Sequence, residues 1–194
     1  MDEAEAVFEQ MRLPQEWNSS HILPSVYLLK QEYERAFCAA EENLMADWQN
    51  VIIDLRTVYN IVLKKQDYER ALKIAEAVCT ISDCLGSGLN QGLDMLVEVY
   101  LLRKEMEQAQ IAFERYTDWL IECYGPSEKR YGSKVFFAEF YEQKLSGRKE
   151  SGQEAAELNL LQVMYQAITL DMRYEDIRQT EAYQRGIKRL EKYL

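Results

Sequence analysis

Apolar residues recur at intervals of three and four along most of the chain, as in Leu93, Leu96 and Tyr100, or Ile74, Val78 and Ile81. That spacing lines one face of an α-helix. No segment sustains the strict alternation of a half-buried strand bounded by turns, so no sheet is expected. Breaks are legible around Pro14 and Pro24, at "DCLGSGLNQG" (83–92), at "YGPSEKRYG" (124–132) and at "LSGRKESGQ" (145–153). They divide the chain into roughly eight helices of ordinary length.

One stretch repeats. "LLKQEYERAF" (28–37) returns as "VLKKQDYERAL" (62–72) and more faintly as "LLRKEMEQAQ" (101–110). Aligned on a small residue, the copies place Ala36, Ala71 and Ala109 at intervals of 35 and 38 residues. A period of that size signals stacked supersecondary units. Each copy reads as a helix ending in an apolar pair, a short polar turn, and a second helix. That second helix opens with Tyr33, Tyr68 or Met106 and carries the alanine three residues later. An alanine there lets two helices cross closely.

The text resembles tetratricopeptide repeats, whose helix-turn-helix unit has Tyr-x-x-Ala at the start of its second helix. Tyr33 and Ala36, Tyr68 and Ala71, and Met106 and Ala109 occupy the matching places, with Phe113 at the aromatic position of the third. Leu55 and Val58 stand where the family has Trp and Leu, Tyr59 where it prefers Gly, and Pro24 at that same place in the first copy; the closing proline is missing. "YGPSEKRYGSKVFFAEFYEQ" also resembles the connector and first helix of the longer repeats of kinesin light chains, with Phe137, Ala138 and Tyr141 near the key places. The resemblance implies an all-α fold: a right-handed α-α superhelix of about three to four helical hairpins with capping helices. It would form a single domain over 1–194, with an N-terminal cap at 1–19, repeats over 20–145, and C-terminal helices and a cap over 154–194.

A stacked array must cover its last apolar face. In "TEAYQRGIKRLEKYL", Tyr183, Ile187, Leu190 and Leu194 form one stripe, and Thr180 fits an N-cap. Glu181 near the start and Lys188, Arg189 and Lys192 near the end complement the helix dipole. At the other end, Val7, Phe8, Met11 and Leu13 need a cover, by fold-back or by a second chain, so the expected state is monomer or homodimer.

Composition narrows the chemistry. With 47% hydrophobic and 11% aromatic residues the chain has ample core material. Its 33 acidic against 23 basic residues leave it at −10, which argues against direct nucleic-acid binding. "MDEAEAVFEQ" lacks a basic region followed by an apolar one, and no run of about 18 apolar residues follows, so the expectation is a cytoplasmic protein without membrane association. Cys38, Cys79, Cys84 and Cys123 are scattered, as for reduced, buried thiols.

No catalytic residue or metal ligand emerges. His21 is the single histidine, which excludes histidine triads and multi-histidine metal sites. Cys79 and Cys84 lack CxxC spacing. "GSGLNQG" (86–92) lacks the strand and Lys-Ser/Thr of a phosphate loop and reads as a connector. The many glutamates read as solvated faces with basic partners, such as Glu69 with Lys73. No cofactor is expected. The resemblance implies instead a non-enzymatic scaffold or adaptor that binds a protein or peptide partner in a concave groove. The alternative is the peptide-sensing domain of a bacterial transcription regulator, whose receptors use such repeats.

The resemblance also implies a groove lined by first-helix positions: Ile53, Arg56 and Asn60 in the second copy, and Gln91, Asp94 and Glu98 in the third. Arg56 with Asn60 offers a cation and an amide one turn apart, suited to a carboxylate and a peptide group. The expected ligand-binding residues are therefore Arg56, Asn60, Gln91, Asp94 and Glu98. Met95 falls where the chaperone-tail clamp of some family members requires a second Asn.

Overall fold

Three turns of the chain are built alike. At each, one non-glycine residue takes a left-handed conformation: Gln31 (φ 62°), Gln66 (φ 59°) and Lys104 (φ 62°). The amide of that residue donates to the carbonyl three residues back, and the next amide reaches five back: Gln31 to Leu28 and Glu32 to Tyr27, Gln66 to Leu63 and Asp67 to Val62, Lys104 to Leu101 and Glu105 to Tyr100. This pairing satisfies carbonyls that a helix end would leave bare. Five residues beyond each left-handed residue stands the alanine of the repeat. Ala36 is nearly buried, and Ala71 and Ala109 wholly so.

The computed structural model describes residues 19–85, 91–124 and 154–194, with side chains from 21 and, in the last segment, from 160. Among these every regular element is helical: α1 (Ser19–Leu29), α2 (Tyr33–Lys64), α3 (Tyr68–Leu85), α4 (Gly92–Leu102), α5 (Met106–Tyr124), α6 (Glu154–Leu170), a 3-10 helix (Met172–Ile177) and α7 (Glu181–Glu191). The chain divides into two compact units, Met1–Asp47 and Trp48–Leu194.

One expected break is absent, and two helices that the repeat reading separates are joined. Pro24 lies inside α1, where it forfeits a single main-chain hydrogen bond rather than ending the helix. The second helix of the first copy and the first helix of the second are one uninterrupted helix of 32 residues, because no Gly or Pro falls between Tyr33 and Lys64. The expected cap over 1–19 and the segment around Phe137, Ala138 and Tyr141 lie outside the described residues.

In the second unit α4 is the central element, packed against α3, α5 and the 3-10 helix. Leu93, Met95, Leu96, Val97, Val99 and Leu101 are all buried, as expected of a helix that is apolar nearly all round. Gly92 permits the approach of α3: a Cβ there would stand 2.7 Å from the Cys79 main-chain nitrogen and 2.8 Å from the Ala75 carbonyl oxygen. Gly186 does the same between α7 and α5, where a Cβ would meet the Phe113 ring at 2.9 Å.

The C-terminal helix caps this unit. Thr180 accepts from the amide of Tyr183, as its N-cap position predicts. Tyr183 and Leu190 are buried and Ile187 partly so. Leu194 is half-exposed because α7 ends at Glu191, so the stripe stops one turn short. Phe113 stacks on Tyr183 (4.8 Å between centroids) and meets Tyr174 edge-on (5.5 Å). Charge pairs flank this apolar contact: Arg185 with Glu114 and Arg189 with Asp118.

Candidate functional site

Asp94 and Glu98 lie one turn apart on α4, the acidic edge of an otherwise buried helix. Both are more than four-fifths buried, so each carboxylate needs a partner. From α2, Arg56 donates through Nη1 to Asp94 Oδ2 at 2.9 Å. From the 3-10 helix, the Tyr174 hydroxyl donates to Asp94 Oδ1 at 2.9 Å. The Arg173 guanidinium spans both acids, with Nη2 3.5 Å from Asp94 Oδ1 and Nη1 3.3 Å from Glu98 Oε2. The second of these pairs by charge without hydrogen-bond alignment, which leaves that buried oxygen with no hydrogen-bond donor.

Arg173 is itself held in place. Asp171 caps the 3-10 helix by accepting from the Arg173 amide at 2.9 Å, and its Oδ2 accepts from Arg173 Nε at 2.7 Å. On the other side of the cluster Tyr59, fully buried, donates its hydroxyl to the Met95 carbonyl at 2.8 Å. The Arg56 guanidinium lies 5.7 Å from the centre of the Tyr59 ring. Tyr59 thus bridges α2 and α4.

Burial, reinforced by the Asp94 charge, pushes the hydroxyls of Tyr174 and Tyr116 well above the ordinary tyrosine value. Burial together with Glu98 does the same to Tyr59. All three stay neutral hydrogen-bonding groups at physiological pH, and none is activated as a base or nucleophile.

Of the five expected ligand residues, the fold gathers Arg56, Asp94 and Glu98 into one cluster. Asn60 and Gln91 are exposed and take no part in it. The expected binding of a ligand at Asp94 and Glu98 meets an internal competitor, because Arg173 and Tyr174 of the same chain already occupy them. Tyr174 and Ile177 of that segment, and Tyr183 and Leu190 of α7, are all at or below 5% exposure. Burying four such side chains contributes roughly 6–12 kcal/mol before the entropy of ordering the chain is set against it. This burial seats the 3-10 helix and α7 in the core. Arg173 was not among the expected residues, since nothing periodic links position 173 to 94 or 98.

Other candidates resolve as follows. Glu69 pairs with Arg103 at 2.7 Å rather than along its own helix with Lys73. Arg103 also binds Glu105, and together these side chains wall an open cleft of about 510 Å³ between the second and third turns. His21 lies 3.6 Å from Asp47, both about half exposed. Cys79 and Cys123 are buried, and burial raises their thiols to about 11 and about 12. Cys38 is only partly buried and Cys84 is exposed, against the expectation of four buried thiols, because Cys84 falls off the inward face of α3. Among the described residues no group of three His, Cys, Asp or Glu lies close enough to hold a metal ion, and no helix is long and apolar enough to cross a membrane. Comparison of the chain with protein-family models, with curated proteins and with solved structures found no match.

Proposed function

We propose that this chain is a non-enzymatic, cytoplasmic scaffold of tetratricopeptide-like hairpins that binds a protein partner. The observation that carries the reading is the surface of the first unit. Ile22, Leu23, Val26, Leu28 and Leu29 of α1, and Tyr33, Phe37 and Leu44 of α2, are all exposed. A helix of 11 residues with apolar side chains all round is marginal alone in water and gains its stability from what covers it. Exposed apolar groups at this density mark an interaction surface.

The charge of the same stretch describes the partner. Between 19 and 47, Glu32, Glu34, Glu41, Glu42 and Asp47 outnumber Lys30 and Arg35. The complementary surface is an apolar groove on a protein, rimmed by basic side chains. The three alike turns support the repeat reading. Because Asp94 and Glu98 are paired within the chain, this reading puts the binding surface on α1 and the start of α2 rather than in the expected groove.

The test places a photo-crosslinking amino acid at Phe37 and, separately, at the exposed Glu69 of the second unit, in cells. The Phe37 position should capture a defined partner that the Glu69 position does not, and the pair Leu29→Asp and Phe37→Asp should abolish its co-purification. Equal capture from both positions, or retention by the folded double variant, would overturn the reading.

A further inference from the structure

We infer that the C-terminal half of α2 pairs two copies of this chain, antiparallel, about a two-fold axis near Val58 and Ile61. This surface belongs to the second unit and is separate from the partner-binding surface proposed above. Val51, Asp54, Val58, Ile61 and Lys65 follow one another at intervals of three, four, three and four. That is the spacing of positions that face a second helix in a paired helix. Val51, Val58 and Ile61 are 43%, 40% and 48% exposed, and Asp54 and Lys65 are exposed as well. Lys65 still lies on the helical path, since its amide donates to the Ile61 carbonyl at 3.2 Å.

The choice of a second copy rests on how the seam reads against itself. In an antiparallel pair related by a two-fold axis, residue i faces j and j faces i. Setting Val58 against Ile61 of the second copy brings Asp54 against its Lys65. The axis repeats both contacts, giving two apolar pairs and two opposite-charge pairs from one register. Asn50 and Thr57 beside the seam are polar and uncharged, so they add no like charge opposite the second helix. The chain as a whole carries −10, so most approaches of one copy to another are repulsive. On this strip one acid, Asp54, stands with two bases, Lys64 and Lys65, so the acidic surplus behind the general repulsion is absent where the two helices meet.

Charge reversal tests the register. Sedimentation equilibrium of the full chain, from about 1 μM to about 500 μM at low salt, should show a monomer–dimer equilibrium. Asp54→Lys and Lys65→Glu should each weaken it about tenfold or more, by setting like charges opposite one another. The double variant Asp54→Lys with Lys65→Glu should recover the wild-type constant. These side chains are exposed, and circular dichroism on each variant checks that the helices persist. A wild type that stays monomeric throughout overturns the inference and leaves the seam to a different chain. Single variants that dimerise as well as wild type, or a double variant no better than the singles, overturn the register.

Discussion

Tyr174 donates a 2.9 Å hydrogen bond to Asp94 while its ring lies in the core against Phe113. One residue therefore ties the acidic edge of α4 to the apolar contact that seats the C-terminal segment. Tyr174→Phe keeps the ring and removes the donor, and should destabilise by about 1.5–3 kcal/mol, the range for a hydrogen bond to a charged group. Tyr174→Ala should cost about 3–5 kcal/mol. Urea unfolding of the two variants separates the terms. A phenylalanine variant as stable as wild type would mean the hydroxyl contributes nothing to holding Asp94.

The three left-handed turn residues offer a stabilising change. A non-glycine residue in that conformation costs about 1–2 kcal/mol, and the greater freedom of glycine in the unfolded chain returns about 0.4–1 kcal/mol of any gain. Gln66→Gly should therefore raise stability by about 0.5–1 kcal/mol, while the β-branched Gln66→Val should lower it. Thermal melts showing glycine destabilising and valine neutral would be incompatible with φ 59° at this position.

Gly92 separates helix propensity from packing. In an exposed helix, Gly→Ala would stabilise by up to about 1 kcal/mol. Here the new Cβ would lie 2.7 Å from a main-chain nitrogen of α3, which cannot rotate away. Gly92→Ala should instead destabilise by about 1–3 kcal/mol. Chemical denaturation gives the sign, and a stabilised variant would show that α3 and α4 lie farther apart than described.

Asp171 makes stability sensitive to acid. Burial alone would raise its carboxyl, but hydrogen bonds from the side chain and amide of Arg173 outweigh burial and hold it below the ordinary value. A group lowered on folding favours the folded state above its unfolded value, about 3.9, and loses that contribution as pH falls through the folded value. The urea midpoint should drop as pH falls from about 5 toward about 2, and drop less in Asp171→Asn. Parallel declines in the two proteins would remove Asp171 from the acid response.

Features set by neighbouring residues are legible in the sequence itself. The three-and-four spacing of Ile74, Val78 and Ile81 follows from helix geometry, and the helices are there. The N-cap at Thr180 needs only three residues of context. The recurrence of Ala36, Ala71 and Ala109 marks three turns with the same local hydrogen bonds. Pro24 and the junction near Asp47 read less well, since helix continuity there rests on the balance of one lost hydrogen bond or one absent breaker. The pairing of Arg173 with Asp94 and Glu98 was decided by tertiary structure alone. A charge pair between distant positions leaves no periodic trace, because either side chain would look equally at home on a solvated face. Only when burial of Tyr174 and Ile177 fixes the 3-10 helix on α4 do those carboxylates lose their water and take the guanidinium as partner.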